Sequence, residues 1–175
     1  WSWSRGLGDV YKRQIFTCVG NDNDLREVTF GDNGIFKSIK KGAVYIDNTT
    51  ASATIAREIY SHAKKNGFGF LDAPVSGGQA GAENGALTVM VGGDQGDFDK
   101  ALDKIDCYSK KVKLLGKSGS GQLAKMVNQI CIAGLVQGLS EAINFGQKAG
   151  LNMEDVIEVI SKGAAQSWQM ENRYK

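Results

Sequence analysis

The sequence predicts an α/β protein: part of a doubly wound sheet, one long linking helix, and the start of an all-α domain. Three observations carry this. Short apolar runs of strand length, IFTCV (15–19), AVYID (43–47) and FGFLDAPV (68–75), alternate with helical stretches, the pattern of a parallel sheet with crossover helices. From Ser120 to about Ala149 the chain reads as one helix of roughly thirty residues, about 45 Å long. Beyond it only helical signals follow. The expected divisions are a sheet-bearing domain over 15–118, the linking helix over 119–149, and the beginning of a helical domain over 150–175.

Residues 1–14, WSWSRGLGDVYKRQ, show neither strand nor helix period, and GLGDVYKRQ looks like translated adaptor sequence. They are expected to be a non-native scar outside the fold, a native disordered arm being the alternative. IFTCV then reads as a buried strand followed by Gly20, Asn21 and Asp22, a polar exit of the kind at which ligands collect in open α/β sheets, or else a plain turn. Short helices around 24–30 and 35–39 lead to AVYID, which ends in Asp47-Asn48-Thr49-Thr50 before a helix over about 52–66. Hydroxyls meet a helix start there, which suits either anion binding or simple N-capping. Gly67 closes the helix. FGFLDAPV forms the third strand, with the chain's one proline, Pro74, at its exit.

The stretch after it, Ser76-Gly77-Gly78, is glycine-rich. It is expected to be a loop that spreads backbone N–H groups for a carboxylate or phosphate, a tight turn being the alternative. A return strand over about 86–91, an amphipathic helix over 98–105 and a last strand, KVKLLG, precede Gly116. In the long helix, Lys125, Asn128 and Gln129 are spaced by three and four residues and share one face. Its apolar continuation is expected to be buried, and its polar interruptions are too many for a membrane span. After Gly150, Asn152 caps a further helix, and GAAQSWQMENRYK is expected to run on without a terminating element.

Composition narrows the function. With 175 residues, 42% of them hydrophobic, the chain can support one ordinary core and part of a second domain. Twenty-one basic against 19 acidic residues, with no basic run, gives no support to a nucleic-acid partner. Cys18, Cys107 and Cys131 have no metal-ligand spacing and His62 is the single histidine, so neither a disulfide framework nor a metal site is expected, and a reducing cytoplasm fits. No export leader is visible.

Two motifs, D-A-P-V-S-G-G at Asp72 to Gly78 and G-x-G-x-x-x-K-x-x-N-Q at Gly119 to Gln129, together resemble the β-hydroxyacid dehydrogenase family, which includes 3-hydroxyisobutyrate dehydrogenase and tartronate semialdehyde reductase. The resemblance runs from about Ile15 to Arg173. It implies the C-terminal part of a Rossmann-like dinucleotide-binding domain, with NAD or NADP as cofactor and a small β-hydroxy acid or semialdehyde as substrate. It places Val19, Gly20, Asn21 and Thr50 beside the cofactor. Lys125 then becomes the general acid/base, since a partly buried lysine has its pKa lowered towards neutrality. Ser76, Gly77 and Gly78 hold the substrate carboxylate, and Asn128 and Gln129 orient the substrate. Trp168 and Gln166 could line a far wall, although a packed tryptophan is the simpler reading. The family's G-x-G-x-x-G turn does not occur in the sequence, nor do its later helices, so the chain is expected to be truncated at both ends, the apolar surface of the helical domain being covered by its own remainder or by a partner such as a second copy in a homo-oligomer. The alternative is an inactive fragment or a non-catalytic nucleotide-binding module.

Overall fold

The computed structural model describes residues 14–174. Thirteen of the fourteen residues read as a scar lie outside them. The fourteenth, Gln14, belongs to the first strand and pairs with Val44. The chain divides after Met126 into two compact units.

Among the described residues the first unit is built on a six-stranded mixed sheet. Strands β1 (Gln14–Thr17), β2 (Val44–Asp47) and β3 (Gly69–Asp72) are parallel, in a register that aligns Thr17, Asp47 and Asp72 at their carboxyl ends. The return strand β5 (Leu87–Gly93) is antiparallel to β3 and to the two-residue β4 (Val75–Ser76), and β6 (Ser109–Gly116) runs parallel to β5. Helices α1 (Asp22–Phe30) and α2 (Ala53–Asn66) follow β1 and β2, and α4 (Gln95–Ile105) follows β5.

Strand alternation sorts the core into two clusters, because neighbouring side chains leave a strand on opposite faces. Tyr45 and Phe70 pack with Leu25, Ile55 and Ile59 of α1 and α2, whereas Val44, Ile46 and Leu71 pack with Phe98, Ala101 and Ile105 of α4. Helices on both faces make this the doubly wound arrangement expected. The Ser52 side chain accepts from Ile55 N to start α2, and Gly67, at φ 80°, ends it. The exposed Lys110, Lys111 and Lys113 stud β6, the kind of charge that blunts unwanted strand pairing.

Two expectations need correction. The segment after Ser76 is not an open loop: Gly78–Glu83 turns into a short helix, α3, because the small residues GQAGAE offer no bar to it. The apolar run of α5 (Ser120–Lys148) is also not buried, with Leu123 50% and Ile130 72% exposed. The buried residues of its first turns are Gly121, Gln122 and Lys125, and at 100° per residue Leu123, Val127 and Ile130 form a stripe on the opposite side of the cylinder. By length and composition alone α5 could cross a membrane, but Asn128, Gln129, Gln137 and Ser140 interrupt its apolar run.

The second unit, from Val127, holds the remainder of α5, then α6 (Met153–Ile160) and α7 (Trp168–Arg173). Asn152 caps α6 by accepting from Glu154 N, as expected. Helix α7 was not foreseen: Ser167 Oγ accepts from Met170 N at 3.1 Å and starts it. Met170 and Ile157 are buried.

Candidate active site

The aligned ends of β1, β2 and β3 place Thr17, Asp47 and Asp72 in a row, and in open α/β sheets such ends are where ligands bind. Asp47 organises the first two exits. Its Oδ1 accepts from Thr17 Oγ1 at 2.7 Å, from Thr49 Oγ1 at 2.7 Å and from Thr49 N at 3.2 Å. Thr49 Oγ1 in turn accepts from Val19 N at 3.0 Å, so one carboxylate ties the exit of β1 to that of β2. The Tyr45 hydroxyl lies 3.0 Å from Thr17 Oγ1 and 3.1 Å from Thr29 Oγ1, extending the network into the core. Asp47 Oδ2 is buried without a hydrogen-bond partner among the described residues. Beside this network a cleft of about 520 Å³ is lined by Phe16, Thr17, Cys18, Val19 and Gly20.

Burial pushes the Asp47 carboxyl up to about 6 against the bonds from Thr49 and Thr17, and burial likewise pushes Asp72 up to about 6. The folded protein therefore keeps protons that an unfolded chain releases near 3.8. A group whose folded pKa is raised makes stability fall as pH rises through that window. Chemical denaturation across pH 4 to 6 checks this: the Asp47→Asn variant, which cannot ionise, gains stability relative to wild type as pH rises. A constant difference between the two would contradict the assignment.

Asp72 also sets the start of α5. Its Oδ1 accepts from Gly119 N at 2.7 Å and its Oδ2 from Gln122 N at 3.1 Å, so a carboxylate 47 residues upstream caps the helix. Gly121 permits this approach: a Cβ there would stand 2.5 Å from Asp72 O and in collision with Met90 O. Gln122 is fully buried, with Nε2 donating to Thr49 O at 2.7 Å and Oε1 accepting from Ala51 N at 3.0 Å. One turn further on, Lys125 is 8% exposed and its Nζ donates to Val75 O at 2.7 Å. Burial lowers the Lys125 pKa.

Lys125 meets the carbonyl of Val75, the residue before Ser76, so the lysine and the Ser76–Gly78 turn share one locality. Ser76 is partly buried in β4, and Gly77 and Gly78 are exposed with φ of 140° and 62°, a conformation that glycine alone adopts readily. Val19 and Gly20 line the cleft and Thr50 is exposed. Asn21 is committed elsewhere: its Oδ1 accepts from Asn23 N and Asp24 N as the cap of α1. Asn128 and Gln129 lie in the second unit, Asn128 Nδ2 donating to Gln129 Oε1 at 3.1 Å. Trp168, read as packed, is instead 57% exposed, with the Arg173 guanidinium 5.3 Å from its ring centre. Gln166 is exposed in the same unit. The structural roles of Asp47, Asp72 and Gln122 went unread; a strand-end aspartate in an apolar run is the signal that marked two of them.

A doubly wound sheet whose parallel strands end around a polar cleft is an architecture that dinucleotide-binding proteins share. The family described as the NAD binding domain of 6-phosphogluconate dehydrogenase matches residues 5–116, and the one described as the NAD-binding of NADP-dependent 3-hydroxyisobutyrate dehydrogenase matches residues 119–175. The chain belongs to the β-hydroxyacid dehydrogenase family, and its cofactor class is NAD or NADP. It is 63% identical to an uncharacterized oxidoreductase of Shewanella frigidimarina over 92% of this chain and 55% of the relative. It is 36% identical to the mitochondrial 3-hydroxyisobutyrate dehydrogenase of Rattus norvegicus over 89% of this chain and 46% of that one. The solved structure of Mycobacterium tuberculosis 3-hydroxyisobutyrate dehydrogenase with L-serine superposes with a TM-score of 0.84 at 28% identity, covering 94% of this chain and 56% of that one. The chain thus spans about half the length of these relatives.

Proposed function

We propose that this chain is part of an oxidoreductase that transfers a hydride between a small β-hydroxy acid, of the 3-hydroxyisobutyrate or tartronate semialdehyde type, and NAD or NADP, with Lys125 as general acid and base. The observation that carries the reading is the 2.7 Å bond from Lys125 Nζ to Val75 O, which sets a buried ammonium beside the Ser76-Gly77-Gly78 turn. The relative solved with L-serine supports it, since serine is itself a β-hydroxy acid.

The described residues suit part of a dinucleotide. Val19 and Gly20 line a cleft at a strand exit and Thr50 presents an exposed side chain. The G-x-G-x-x-G turn that would hold a pyrophosphate does not occur in the 175 residues, so nothing here is assigned to that group. When bound, the dinucleotide takes the hydride in oxidation and supplies it in reduction.

The chain's own residues handle the proton and the carboxylate. In oxidation the neutral Lys125 amine takes the substrate hydroxyl proton, and in reduction the ammonium returns it. The bond to Val75 O occupies one N–H and fixes the direction of the rest. Ser76 Oγ and the N–H groups of Gly77 and Gly78 hold the substrate carboxylate. Because burial lowers the lysine pKa, the oxidation rate rises with pH, levels off below the ordinary lysine range, and the reduction rate falls over the same interval.

Steady-state kinetics of Ser76→Ala in the full-length protein test the carboxylate assignment. The variant raises KM for the hydroxy acid about tenfold with kcat nearly unchanged, since the lost bond goes to a group that does not react. A lower kcat at unchanged KM would remove Ser76 from that role.

A further inference from the structure

The side chain of Gln122 takes no part in the chemistry above, yet it is fully buried and makes two hydrogen bonds to one short loop. Its Nε2 donates to Thr49 O and its Oε1 accepts from Ala51 N, so the amide grips the main chain on both sides of Thr50, much as a neighbouring strand would. A carboxamide offers a donor and an acceptor side by side at this reach. The same residue is fastened through its backbone N to Asp72 Oδ2, and three residues on, Lys125 rests on Val75 O.

We infer that Gln122 is a positioning residue that hangs the Thr50 loop on the helix carrying Lys125, so that dinucleotide affinity depends on a side chain that does not itself meet the dinucleotide. The inference rests on the functional reading above, in which Thr50 lies beside the cofactor. Removing the amide leaves Thr49 O and Ala51 N–H without partners in a buried place, and the loop moves to find others. Thr50 moves with it.

The test is a fluorescence titration of the substrate-free, full-length protein with NADH and NADPH, for wild type, Gln122→Met, Thr50→Ala and the double variant, each checked for a cooperative melt. Gln122→Met, equal in length but apolar, weakens binding about tenfold. Thr50→Ala weakens binding in the wild-type background and has no further effect in the Gln122→Met background, because a displaced loop no longer presents Thr50. Full affinity in Gln122→Met, or losses that simply multiply in the double variant, would overturn the inference. Should Gln122→Met fail to fold, Gln122→Asn keeps the carboxamide but is one methylene too short to span Thr49 O and Ala51 N together. Weakened binding in that folded variant supports the link, and unchanged binding overturns it. A wild type that binds neither NADH nor NADPH overturns the functional reading itself, and the inference with it.

Discussion

Replacing Lys125 with alanine in the full-length protein lowers kcat by about a thousandfold or more while dinucleotide affinity stays within a few-fold of wild type. The size follows from the role. With the amine gone, no other cationic side chain among the described residues hydrogen-bonds to the Val75–Gly78 segment, and the hydroxyl proton has no positioned acceptor. The selectivity follows from geometry: Lys125 reaches the β4 segment, whereas the candidate cofactor residues sit at the exits of β1 and β2. Stability suffers little, because the lost bond to Val75 O is worth about 1 kcal/mol and that carbonyl is only partly buried. A variant with kcat within tenfold of wild type would remove Lys125 from the chemistry, and a variant that no longer binds dinucleotide would show that it serves the cofactor instead.

Gly121→Ala has a comparably large effect by another route. The added methyl would meet three oxygen atoms, Met90 O, Asp72 O and Asp72 Oδ2, two of them backbone atoms of β3 and β5 that cannot rotate away. The helix must lift, stretching the bonds from Gly119 N and Gln122 N to Asp72 and drawing Lys125 off Val75 O. Overpacking of this kind costs about 3 kcal/mol. Denaturant midpoints should therefore fall, and turnover with them. Alanine is the better helix former, so a variant as stable as wild type would mean that the close approach of α5 to the sheet is wrong.

These two positions also mark how far the sequence could be read. The strands at 15–19, 43–47 and 68–75, the helix over 52–66 with its Ser52 and Gly67 ends, and the long helix from Ser120 were legible because apolar period and cap chemistry are local signals. The pairing of Lys125 with the Ser76 turn came from a family resemblance, since a contact across 50 residues leaves no trace in periodicity. What stayed unread was tertiary polar satisfaction. Asp72 caps a helix whose start lies 47 residues away, Gln122 grips a loop more than 70 residues back, and Asp47 gathers two strand exits. Each looks like an ordinary polar residue until the fold brings its partners to it. The apolar stripe of α5 was misjudged for the converse reason: hydrophobicity marks a surface that prefers cover but does not name what covers it.

Whether the Lys125 and Ser76 locality serves β-hydroxy acid oxidation can be measured directly. The measurement is the appearance of reduced dinucleotide when the full-length protein is mixed with 3-hydroxyisobutyrate or L-serine and NAD⁺ or NADP⁺, followed across pH for wild type and Lys125→Ala. The expected result is turnover in wild type that rises with pH to a plateau below the ordinary lysine range and is lost in the variant. Dinucleotide binding without turnover on any small β-hydroxy acid, or turnover that survives the loss of Lys125, would contradict it.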